Sequence, residues 1–149
     1  MDFTRYFAEE RRGAAIFLAA GLAAITLSLS LATRSTAYRG MIPPLGVFGL
    51  FEIVVGATVL LRTPRQMDED ARAREPERMR RLIASFRIYK VAETVVLTAG
   101  LTLMMLFPRH TPLYASGLGC LLQASVLVVL DRVAERRARE YASGLEANR

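Results

Sequence analysis

Four long apolar blocks in 149 residues predict an all-α, polytopic membrane protein, an antiparallel bundle of four transmembrane helices whose third and fourth helices extend into the cytoplasm. Three observations carry this expectation. Hydrophobic residues make up 52% of the chain and are gathered into blocks close to the roughly 20 residues that a helix needs to cross a bilayer core. The blocks lack the period-2 alternation of a barrel strand, and only helices or closed barrels satisfy every backbone amide in lipid. Basic residues are also segregated: with the amino terminus inside, 17 of the 20 Lys and Arg fall on the cytoplasmic side and 3 outside.

The first span, 13–32, carries no charge. Phe3, Tyr6 and Phe7 precede it as a small stripe expected to lie in the membrane interface as an anchor. "SLATRSTAY" offers small residues near a possible cleavage point, but the apolar run is too long for a signal-peptide core, so the span is read as uncleaved. The second span, 44–61, contains Glu52 inside "VFGLFEIVVGATVLL".

The loop 62–87 is expected to be helical and cytoplasmic. Thr63, Pro64 and Gln66 read as a capping box, with Asp68–Arg72 and Asp70–Arg74 as four-residue ion pairs. Pro76 is expected to end that helix and begin the next. No breaker follows before Pro108, and Met79, Leu82, Ile83 and Phe86 form an i, i+3, i+4, i+7 stripe. The third span is 88–107. After "PRHTP" the fourth, 113–130, carries Gln123, and a helical tail, 131–149, is supported by Glu135–Arg139 and Arg136–Glu140. The short outer connections make neighbouring helices antiparallel and the whole chain one membrane domain.

Close packing is expected along small-residue ridges: Ala15, Ala19 and Ala23, or Ala20 and Ala24, in the first helix, and Gly46, Gly49 and Gly56 in the second. A weak repeat also shows. "FLAAGLA" at 17–23 matches "VLTAGLT" at 96–102, and the same offset sets Phe7 against Phe86 and Arg11 against Lys90. Glu52, ten residues before Arg62, would then correspond to Gln123, nine before Arg132.

One Cys (Cys120) and one His (His110) exclude a disulfide framework, a bis-His haem, a His-rich metal site and a Ser-His-Asp triad. No cofactor, metal or catalytic residue is expected. The net charge of +6 beside long apolar blocks points to the bilayer and its anionic headgroups as partners, not to nucleic acid. The size, four spans and charge resemble the membrane glutathione-transferase and eicosanoid enzyme group, and "FRIYKVAE" is similar to that group's arginine–tyrosine stretch. The group's Asn and acid spacing is absent and its long loop lies on the other side, so no membership follows.

An ionisable group at mid-bilayer costs about 3 kcal/mol and is a functional candidate for that reason. Glu52 is therefore expected to face the bundle interior, protonated and beside Gln123. Glu93, one turn inside the cytoplasmic boundary, is expected to join Lys90, Tyr89, Arg87 and Asp131, with Arg132 and Glu135 completing a salt-bridge network. Arg78, Arg80 and Arg81 are expected at lipid headgroups. The leading functional expectation is a small bacterial inner-membrane protein, both termini cytoplasmic, whose Glu52 site binds or relays a proton, cation or small polar ligand in a transport or channel-like homo-oligomer. The alternatives are an accessory or immunity-type protein that meets a partner through its basic cytoplasmic helices, and a small enzyme acting on lipophilic substrates.

Overall fold

A computed structural model of the chain describes residues 3–34, 38–62 and 69–147. Among these residues the protein is all-helical. It consists of α1 (Phe3–Arg34), a short 3-10 turn (Arg39–Met41), α2 (Ile42–Arg62), α3 (Glu69–Leu106) and α4 (Pro112–Ala147). All four helices are long and apolar enough to cross a membrane. Leu22, Leu29, Val47, Leu50, Val54, Leu101 and Met105 stand exposed on their outer faces. In water that much contiguous apolar surface would be an aggregation liability; acyl chains would cover it.

The helices form two hairpins, α1 with α2 and α3 with α4, and both close at glycines. A Cβ added to Gly21 or Gly49 would strike the backbone oxygen of the other, and Gly100 and Gly117 stand in the same relation. Without side chains at the crossing the backbones come close enough for extensive dispersion contact, the main attraction between helices when the surroundings are as apolar as the side chains. The ridge that packs on α2 comprises Ala14, Gly21, Ala24 and Ser28, whereas Ala15, Ala19 and Ala23 are exposed. The expected Ala15 ridge is thus on the wrong face: both sets have helical spacing, and only the partner's position distinguishes them.

α4 joins the hairpins, packing against α1, α2 and α3, while α3 makes no close backbone approach to α1 or α2. At the turn end, the Ser116 hydroxyl donates to the Gly40 carbonyl (2.7 Å) and Ser28 to the Ile42 carbonyl (3.1 Å). Ala24, Met41, Leu45 and Ala115 form a small core there.

At the opposite, basic end, α1 extends beyond its apolar block as α3 and α4 do. Tyr6, Phe7, Met79, Phe86, Ala138 and Tyr141 form a shared core, and Tyr6 stacks on Tyr141 at 4.2 Å. Phe7, fully buried (0%), is a core residue and not an interfacial anchor. A stripe followed by Glu9, Glu10, Arg11 and Arg12 reads as an anchor when the apolar faces of α3 and α4 are not in view.

α3 also passes through Pro76 without a break, contrary to expectation. A mid-helix proline costs about 3 kcal/mol. Here it is flanked by Glu75, buried and ion-paired, and Met79, at the centre of the core, which offset that cost. The Glu135–Arg139 and Arg136–Glu140 pairs form as spaced. The 63–66 capping box and the Asp68–Arg72 and Asp70–Arg74 pairs lie outside the described side chains.

The glycine crossing makes a discriminating prediction. Gly49→Leu should destabilise the purified chain by about 1–3 kcal/mol or more through overpacking. Ala15→Leu, on the exposed face, should change stability by less than about 0.5 kcal/mol. Thermal unfolding in detergent reads both, and equal tolerance of the two would refute the crossing.

Candidate functional site

Among the described residues Glu52 is the most completely buried polar side chain, at 0% exposure, on the α2 face that carries Gly49 and Gly56 against α1. Neither carboxylate oxygen has a hydrogen-bond partner, and the buried Gln123 amide nitrogen has none either, so the two side chains are not bonded to each other. Register explains why. α2 and α4 run in the same direction, and Gly119 sits against Pro44. Glu52 is eight residues beyond Pro44 and Gln123 four beyond Gly119, which puts Glu52 about 6 Å further toward the basic end. The crossing glycines also align differently from the sequence repeat. Three residues past Gly49 is Glu52, and three past Gly117 is Cys120, so Gln123 is not the structural counterpart of Glu52.

The second acidic position is more open. Because the α3 backbone approaches only α4 closely, and its side chains meet α1 only at the basic end, a groove of about 280 Å³ runs between α2 and α3. Its walls include Phe17 of α1, Val47, Phe51 and Val55 of α2, Val96 of α3, and Ala124 and Leu127 of α4. Its polar lining is Tyr89, Glu93 and Asp131. Glu93 is 9% exposed, its Oε1 has no hydrogen-bond partner, and its carboxylate lies within hydrogen-bonding reach of Asp131. Glu52 lines neither this groove nor the cavity of about 200 Å³ that adjoins it at the basic end.

The cations expected around Glu93 are used elsewhere. Lys90 reaches across to Glu135 (Nζ–Oε2 2.6 Å), and Glu135 also accepts from Arg139 (2.7 Å). Lys90 and Arg132 act on Glu93 through their charge, but the carboxylate that Lys90 bonds is Glu135. Arg87 and Arg132 are exposed. Tyr89, half-exposed, meets the Phe86 ring edge-on at 6.1 Å.

Arg78 is not at the headgroup surface. It pairs with Glu75 (2.7 Å), approaches Glu10 (3.7 Å), and stands over the rings of Phe7 (5.3 Å) and Tyr6 (5.9 Å). Arg80 and Arg81 do lie on the outside, Arg81 paired with Glu77. Glu75 was missed as a partner, although its signal is in the sequence: it falls on the stripe of Met79, Leu82 and Phe86, so helical periodicity turns it inward with them. Arg137, also missed, donates to the Glu9 carbonyl and packs over Gly13, tying α4 to α1.

An acid with two unpartnered oxygens is a burden on folding. Glu52→Met, similar in volume, removes an unsatisfied group that costs about 1–3 kcal/mol, so the thermal midpoint of the purified chain should rise. A lower midpoint would show that Glu52 has a partner in the folded protein.

No protein family, characterised protein or solved structure matches this chain.

Proposed function

We propose that the chain is a non-enzymatic, membrane-embedded binding protein whose α2–α3 groove holds a single-chain amphiphile with a cationic head. In this reading the four helices stand as a bundle in the bilayer with the basic end in the cytoplasm. The 17-to-3 division of Lys and Arg supports that orientation. The observation that carries the proposal is Glu93: nine-tenths buried, with one oxygen that has no hydrogen-bond partner, on the wall of a mostly apolar groove and with a second carboxylate, Asp131, beside it.

The chemistry follows from position. Asp131 comes directly after the last apolar block, so a head bound by the two carboxylates sits at the level of the inner headgroups. From Val55 to Val47 the groove wall runs eight residues, or about 12 Å, toward the opposite leaflet. An alkyl chain laid along that wall removes apolar surface from nothing more polar than lipid, so selectivity must come from the head. With Lys90 held by Glu135, the local charge favours a cation. Such a site serves a transport-like role centred on Glu93 in place of Glu52, and one chain builds the groove without a second copy.

Binding of radiolabelled dodecyltrimethylammonium to the purified protein in zwitterionic nanodiscs tests this. The native chain should show saturable binding, Glu93→Gln should weaken it by about tenfold, and the double variant with Asp131→Asn by more. Dodecyl sulfate should not compete. Binding indifferent to both substitutions, or equal affinity for the anion, would refute the proposal.

A further inference from the structure

We infer that the α2–α3 groove and the cavity at the basic end form one path, so that water from the cytoplasmic side reaches Glu93, with Tyr89 as the constriction. The two spaces share walls: Phe17, Val55, Tyr89 and Asp131 line both. Both are lined mainly by apolar side chains; the basic-end cavity adds Glu10 and Arg137 to Val59, Leu82 and Phe86, and the groove adds Glu93 to Val47, Val96 and Leu127. Asp131, shared by both, links the charged groups of one space to Glu93 in the other.

The chamber can hold water. Glu10, whose carboxylate lies 3.7 Å from Arg78, and Arg137, which donates to the Glu9 carbonyl, both line it. A space of about 200 Å³ bordered by two charged side chains has the size and the polar neighbours that bound water needs.

Tyr89 is built to control the junction. It lies one turn from Glu93 on α3, its ring meets Phe86 edge-on, and at 42% exposure it has room to change rotamer. Rotation of one ring would open or narrow the passage while the helix crossings stay in place. The path gives the Glu93 and Asp131 carboxylates, and a cationic head bound between them, contact with cytoplasmic water. It rests on the proposed function only for the orientation and the occupant of the groove; water access is read without any amphiphile present.

Cysteine accessibility tests the path. In a Cys120→Ala background, Ala134→Cys reports the chamber and Val96→Cys reports the groove. The probe is the membrane-impermeant reagent 2-(trimethylammonium)ethyl methanethiosulfonate, applied separately to inside-out and right-side-out vesicles. Both cysteines should react from the cytoplasmic face. Tyr89→Trp should slow labelling of Val96→Cys at least about tenfold and leave Ala134→Cys unchanged, and Tyr89→Ala should accelerate it. An unchanged Ala134→Cys rate shows that the basic end is still folded in each variant. The path is overturned if Val96→Cys stays unlabelled from the cytoplasmic face while Ala134→Cys reacts. It is equally overturned if Val96→Cys reacts as fast from the opposite face, or at a rate indifferent to both Tyr89 substitutions. Failure of amphiphile binding would leave these rates untouched, so the two ideas fail separately.

Discussion

α4 is the helix on which the arrangement depends. It packs on α1, α2 and α3, and apart from it the two hairpins meet only through side chains of α1 and α3 at the basic end. Had α3 packed on α2 directly, Glu93 and Asp131 would have to be paired with a cation or excluded from the interface, because two facing carboxylates in a dry contact are costly. Holding α3 from one side leaves the acids a groove to face. The same geometry concentrates mechanical demand on the ends of α4. Ser116 bonds Gly40 at one end, and Arg137, Ala138 and Tyr141 engage α1 and α3 at the other.

The distribution of cations gives the acids their different characters. Arg78 is held by Glu75, Glu10 and two aromatic rings, Lys90 by Glu135, and Arg137 by backbone carbonyls. Each pairing fixes one helix extension against itself or a neighbour. Among the described residues, the acids left without an ion pair are Glu93 and Asp131 at the groove, and Glu52 sealed between helices. These two acids were grouped by their unusual positions in apolar sequence, yet their surroundings differ: one borders open space beside a second carboxylate, and the other borders none in either cavity.

Some residues matched between the two hairpins in sequence take comparable places in the fold. Gly21 and Gly100, matched in sequence, are the crossing glycines of their respective hairpins, and Phe7 and Phe86, matched at the same offset, meet in one cluster. The second helices follow another register, because Gly49 and Gly117 occupy the equivalent crossing points. Three residues beyond these crossing glycines stand Glu52 in one hairpin and Cys120 in the other.

Composition and periodicity alone determined that the chain is helical, where the apolar blocks fall, and that the Arg136–Glu140 and Glu135–Arg139 pairs form, because each depends only on neighbours within a turn or two. They also placed Met79 and Phe86 on one stripe. They did not determine which of two equally small ridges of α1 packs inward, that Tyr6 and Phe7 belong to a core, that α3 continues through Pro76, or that Lys90 chooses Glu135 over Glu93. Those outcomes depend on the relative depth and rotation of helices distant in sequence. A shift of a single turn, about 5.4 Å, is enough to separate Glu52 from Gln123. Nothing in one helix encodes its register against another; the close approach of Gly119 to Pro44 and of Gly21 to Gly49 sets it.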